Sequence, residues 1–137
     1  MRYLAQTRLV DDHWYPADPV KRAKVDEYLD LHHTFLRMGS GQYIFKKLFA
    51  PLIINKTYTD EDLGDNKLAL KRALKNMEQR LTNHKFIAGD EISIADLSAC
   101  FELDQTRILS LDLSKWPKTK AWLHMMIDEN EINLDIA

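Results

Sequence analysis

The sequence predicts an all-α domain, and three observations carry that prediction. Helix formers dominate, with 19 Leu, 11 Ala and 5 Met against only 4 Gly and 4 Pro in 137 residues. Apolar residues recur at spacings of three and four, the period of a helix face, and not at the spacing of two that marks a strand. Helix-start signals also stand ahead of the periodic stretches: Asp18-Pro19, Thr59 with Asp62, Ser93 with Asp96, and Pro117.

Taken in chain order, Asp18 accepts the free N–H groups of a first turn while Pro19 supplies a preset φ. Val25, Tyr28, Leu29, His32, Phe35 and Leu36 then mark one face of a long helix. Gly39 and Gly41 weaken or bend it. Tyr43 to Phe49 continues it as far as Pro51, and Ile54 to Tyr58 reads as a connection. Thr59 and Asp62 open a second long helix, whose stripe of Leu63, Leu70, Leu74, Met77 and Leu81 packs inside a bundle. Lys67, Lys71, Arg72, Lys75 and Glu78 are assigned to its solvated face.

The most informative stretch runs from Phe86 to Leu97. Ser93 as N-cap and Asp96 three residues on form a capping box, with Ile92 and Leu97 placed as a hydrophobic staple across it. Asp96 is accordingly structural, a carboxylate that accepts backbone N–H bonds. The helix it starts, Ile94 to about Ile108, is apolar or small on most sides and belongs in the middle of a bundle. Pro117 opens a last helix with Ala121, Trp122, Met125 and Met126 on one side, and residues 129–137 read as a loosely held tail. Tyr28 and Trp122 are packing residues.

Composition bounds function as well as fold. With 19 Lys or Arg against 21 Asp or Glu, no electrostatic excess favours nucleic acid or an anionic membrane. The longest apolar run, Leu48 to Ile54, contains Pro51 and falls far short of the roughly 20 residues of a membrane helix. No signal peptide is expected, and the lone Cys100 points to a reducing compartment, with the cytoplasm as the default. No metal site is expected, because adjacent His32 and His33 diverge by about 100° on a helix and no His-x-x-x-His pair occurs. Ser40 between two glycines reads as helix loosening in preference to a nucleophile, since no strand precedes it. Cys100 reads as a small core residue in preference to a reactive thiol.

Several segments carry a family resemblance. Trp14 to Asp18, Lys21 to Leu29 and His33 to Arg37 resemble the start of the helical C-terminal domain of theta-class glutathione S-transferases. Ala88-Gly89 with Ser93-Ile94-Ala95-Asp96 resembles the capping-box and staple motif found across glutathione transferases, and Trp116-Pro117 to Trp122 resembles the helix that follows. The resemblance implies a glutathione S-transferase C-terminal-like helical bundle over residues 18–137. It also implies that residues 1–17 are the end of the last helix of a thioredoxin-like domain, followed by the interdomain linker.

Further expectations follow from the family. Its thiol-activating residue lies on the thioredoxin-like domain, so no catalytic residue is expected in this chain, and no cofactor beyond glutathione as co-substrate of the full enzyme. Theta enzymes continue into a C-terminal extension over the active site, so a chain ending at Ala137 would have a more open cleft. The resemblance places Arg37 toward the interdomain cleft, where a cation attracts an anionic electrophile or the glutathione carboxylates. The alternative is a surface arginine paired with a neighbouring acid. Tyr43 and Phe45 are read either as apolar wall of that cleft or as core. The implied function is electrophile binding in a glutathione conjugation enzyme, with this chain alone inactive. The rival reading is a protein-binding or scaffolding module in a larger assembly. In either case the expected partners are the thioredoxin-like domain or another protein, together with self-association, and neither nucleic acid nor membrane.

Overall fold

The computed structural model describes residues 1–129. Among them helices are the only regular elements, as the composition and period predict. The chain opens with a short helix, α1 (Arg2–Thr7), pinned to the next by the Arg2 guanidinium, 2.6 Å from Asp26 and 3.1 Å from Asp30. After a 3-10 turn at Asp12–Trp14, helix α2 (Pro19–Thr34) starts where Asp18-Pro19 places it. The Asp18 carboxylate accepts from the N–H groups of Val20 and Lys21 at 3.0 and 2.8 Å. Val25, Tyr28, Leu29 and His32 turn inward.

Beyond Thr34 the path is broken into short pieces: α3 (Leu36–Gly39), α4 (Gly41–Ile44), a wide π turn over Phe45–Phe49, and α5 (Ala50–Ile53). Helix therefore does not stop at Pro51. A proline has no N–H to give and its ring crowds the preceding turn, and the wide turn just ahead of it relieves both constraints. Gly39 is more than a weak point. A Cβ there would collide with the backbone N and Cα of Leu70, so this glycine is what lets α3 lie against the next long helix.

That helix, α6, spans Gly64–Asn83. Thr59 and Asp62 do exchange hydrogen bonds, Thr59 N–H to Asp62 Oδ2 at 2.8 Å and Asp62 N–H to Thr59 Oγ1 at 3.2 Å. They wind a separate turn that delivers Leu63, 1% exposed, into the interior, and the helix begins only after it. The stripe Leu70, Leu74, Met77 and Leu81 is buried as expected, with Ala73 beside it. Glu78 is not a solvated residue of the opposite face. Its carboxylate accepts from Lys118 N–H, Thr119 N–H and Thr119 Oγ1 at 2.9, 2.9 and 2.8 Å. It thus caps from outside a helix whose own N-cap, Trp116, supplies no side-chain bond.

Helix α7 (Ile94–Asp104) runs into a 3-10 turn, Gln105–Leu109. Helix α8 (Pro117–His124) runs into a π turn, Met125–Glu129. The inward stripe of α8 and its extension is Thr119, Trp122, Leu123 and Met126; Ala121 is exposed and Met125 only half-buried, because the true three-four spacing starts at Thr119. The tail expected over 129–137 lies outside the described residues except for Glu129. Helix α7 occupies the middle of the bundle, with Ala95, Ala99 and Leu103 at 0% exposure; it packs on α2 and α3, while α6 packs on α3 and α8. Sealing residues such as Leu36, Met77 and Leu103 from water contributes roughly 1.5–3 kcal/mol each.

Candidate functional site

Two buried carboxylates stand on α7, one at its start and one near its end. Asp96, at 0% exposure, receives four donors: Ile87 N–H (2.9 Å), Ser93 N–H (3.0 Å), Ser93 Oγ (3.1 Å) and Trp122 Nε1 (3.2 Å). The Ser93 hydroxyl in turn accepts from Ala95 N–H at 3.2 Å, which completes the capping box. Burial pushes the Asp96 carboxyl up, and the hydrogen bonds from Ile87, Ser93 and Trp122 oppose that shift. Ile92 and Leu97, the staple pair, are both half-buried against the core. Every contact of Asp96 is made by the fold itself, so the knot organises structure and has no face on which to do chemistry.

Glu102 is different. It is 4% exposed, yet it forms part of the wall of an open groove of about 430 Å³, with Arg37, Phe45, Lys46, Tyr58 and Gln105 around it. Oε2 lies 3.1 Å from Arg37 Nη2 and 3.6 Å from His32 Nε2, and Oε1 accepts from Ser40 Oγ at 3.2 Å. Contact with His32 first, and then with Arg37, holds the Glu102 carboxyl below the usual carboxylate range against burial that pushes it up. Gly41 makes room for this arrangement, since a Cβ there would strike Oε1. Lys46 adds a second cation; its Nζ is held by Asn66 Oδ1 at 2.8 Å and lies 5.5 Å from the centre of the Tyr58 ring. Phe45, 43% exposed, supplies the apolar wall.

The groove therefore unites Arg37 and Phe45. Arg37 pairs with an acid, Glu102, and its side chain remains 57% exposed in the groove. Tyr43 is half-buried on α4 and does not line this groove. Residues two apart on a helix face nearly opposite ways. Ser40, at 0% exposure, shares its one hydroxyl proton between Leu36 O, at 2.7 Å, and Glu102 Oε1, at 3.2 Å, which leaves no accessible nucleophile. Cys100 is buried and its thiol is pushed up to about 11 by burial, a core residue and not a reactive one. His32 is buried beside Glu102, while His33 is exposed. Among the described residues no three His, Cys, Asp or Glu side chains gather as a metal site, and no helix is long and apolar enough to cross a membrane. A second cleft, of about 180 Å³ between His13, Lys24, His84 and Gly89, carries an ion pair, Lys21 with Glu91 at 3.1 Å, and a contact of His84 Nδ1 with Asp90 Oδ1 at 3.4 Å.

Glu102 carries no cap, repeat or motif that sequence reading exploits. Its one signal is an acid among apolar residues, in the run Ala99-Cys100-Phe101-Glu102-Leu103 of a helix expected to be buried.

Comparison with known proteins agrees with the helical fold. The profile of the family described as "Glutathione S-transferase, C-terminal domain" matches residues 41–130. Glutathione S-transferase theta-1 of Gallus gallus is 38% identical over 122 residues, covering 88% of this chain and 47% of that protein. Glutathione S-transferase theta-2 of Rattus norvegicus is 36% identical over 122 residues, covering 88% and 50%. A human theta-class glutathione transferase, solved with the glutathione conjugate of 1-menaphthyl sulfate, superposes with a TM-score of 0.82 at 32% identity, over 91% of this chain and 52% of that one. Human glutathione-S-transferase T1-1 in its apo form gives 0.80 at 31% identity, over 91% and 53%. The chain spans about half the length of the curated relatives it matches.

Proposed function

Because the chain belongs to the glutathione S-transferase C-terminal domain family and is theta-like within it, we propose that residues 18–137 are the electrophile-binding part of a glutathione-conjugating enzyme, with residues 1–17 as the lead-in from a thioredoxin-like domain. In that reaction the glutathione thiolate forms a C–S bond to an electrophilic carbon as the bond to the leaving group breaks. Glutathione enters as co-substrate, and no other cofactor is proposed. The residues of this chain bind and orient the electrophile: Phe45 gives the flat apolar wall, and Arg37 and Lys46 attract an anionic leaving group. Thiol activation is assigned to residues outside this chain.

The observation that carries this reading is the meeting of an exposed aromatic ring and a held guanidinium in one groove. A ligand with the chemistry of 1-menaphthyl sulfate, an aromatic body with an anionic ester, fits that pair. The purified 137-residue chain is expected to bind 1-menaphthyl sulfate in a fluorescence titration, to lose roughly five- to tenfold of that affinity with Arg37→Ala, and to conjugate no electrophile with glutathione. Conjugation by this chain alone, or binding indifferent to Arg37, overturns the reading.

Self-association in a reducing compartment such as the cytoplasm belongs to the same proposal. It is supported by exposed apolar residues near the start of the chain (Tyr3, Leu4, Leu9, Val10) and around α5 (Phe49, Leu52, Ile53, Ile54). Sedimentation at rising concentration is expected to show species heavier than the 16.0 kDa chain.

A further inference from the structure

Resting on that groove reading, one residue of the wall has no part in attracting an anion. A carboxylate repels a sulfate, yet Glu102 faces the groove with its charge intact, and three side chains keep it there: Arg37 and His32 at Oε2 and Ser40 at Oε1. We infer that Glu102 is a specificity-determining residue whose charge offsets that of Arg37, so that the groove accepts neutral aromatic electrophiles alongside anionic ones.

Position and burial carry the inference. At 3.1 Å, Glu102 and Arg37 form a near-neutral pair as seen by a ligand a few ångströms away. With its side chain 5% exposed, Glu102 cannot swing aside when a ligand arrives, whereas the 57% exposed Arg37 can. The charges bordering the groove are then two cations, Arg37 and Lys46, against one anion, and Lys46 is already turned toward Asn66. Removing the anion doubles the net positive charge; partly screened by solvent, that change is worth roughly fivefold in affinity for a monoanion and nothing for a neutral ligand.

The experiment titrates the 137-residue chain with three naphthylmethyl probes of one shape: the sulfate, the neutral alcohol and the ammonium. Glu102→Gln is expected to raise the sulfate-to-alcohol affinity ratio about fivefold, leaving alcohol binding within twofold; Glu91→Gln, which removes a carboxylate charge from the second cleft, is expected to leave the ratio unchanged. An unchanged ratio in Glu102→Gln overturns the inference, and a fall shows instead that Glu102 orients Arg37. Arg37→Gln tests the same charge from the exposed partner of the pair and keeps an N–H donor for Glu102, with its fold checked by circular dichroism and urea denaturation. It is expected to unmask Glu102 and give a several-fold gain for the ammonium over the alcohol; no gain overturns the inference. Wild-type chain that binds neither sulfate nor alcohol overturns the groove reading and this inference with it, whereas normal wild-type binding with insensitive ratios overturns the inference alone.

Discussion

Asp96 and Glu102 sit six residues apart on one helix, both carboxylates and both almost wholly out of water, and they serve opposite ends. Asp96 is enclosed: two backbone N–H groups, a hydroxyl and an indole N–H from three separate parts of the chain converge on it. Glu102 is enclosed on one side by His32 and Ser40 and on the other meets a half-exposed arginine in an open groove. A buried acid satisfied entirely by the fold fixes geometry. A buried acid whose last partner faces solvent sets the charge of a surface, because that partner can exchange it for a ligand.

The largest effect that separates the two is on stability. Asp96→Ala strands three buried N–H donors, of Ile87, Ser93 and Trp122, each costing about 1–3 kcal/mol when unpaired, and is expected to destabilise the chain by about 3–5 kcal/mol in urea denaturation. A cost below about 1 kcal/mol would dissolve the distinction. Gly39→Ala comes next. Its Cβ forces α3 off Leu70, and because Arg37 rides on α3 while Asp96 does not, the variant is expected to lose about 1–3 kcal/mol and to weaken binding at the groove. The capping knot should persist, as read by the indole N–H resonance of Trp122. Collapse of both regions together would show that they are one cooperative unit.

How much of this was legible beforehand depended on distance along the chain. The capping box is a contact between neighbours three apart, so Ser93 and Asp96 announce it in the sequence; Ile87 and Trp122, nine and 26 residues from Asp96, do not. The fold class, the helix starts at Pro19, Ile94 and Pro117 and the seam of α6 were readable for the same reason, since period and caps are local. Glu78 looked solvated because its neighbours on that face are lysines and an arginine, and only folding brings the free N–H groups of α8 to it. Gly39 showed its local cost and hid its tertiary use. At the groove, the family resemblance singles out Arg37, with Tyr43 and Phe45 read as cleft wall or core, and Tyr43 does not line it; Glu102, 65 residues beyond Arg37, required the fold.

The smallest effect is the sharpest in sign. Glu102 has its carboxyl held low, so the unfolded chain binds more protons there, and its stabilisation is present above the ordinary glutamate range, about 4.3, and lost as pH falls below it. Asp96 has its carboxyl pushed up by burial, so the folded chain binds more protons, and stability falls as pH rises from about 3.9 toward its folded value. Urea denaturation at a series of pH values from about 3.5 to 7 should therefore move in opposite directions: Glu102→Gln flattens the loss of stability on acidification, and Asp96→Asn steepens it. Two flattened profiles would mean that Asp96 is held ionised by its four donors as firmly as Glu102 is by its neighbours. The two acids would then differ only in what lies beyond their partners, water in one case and protein in the other.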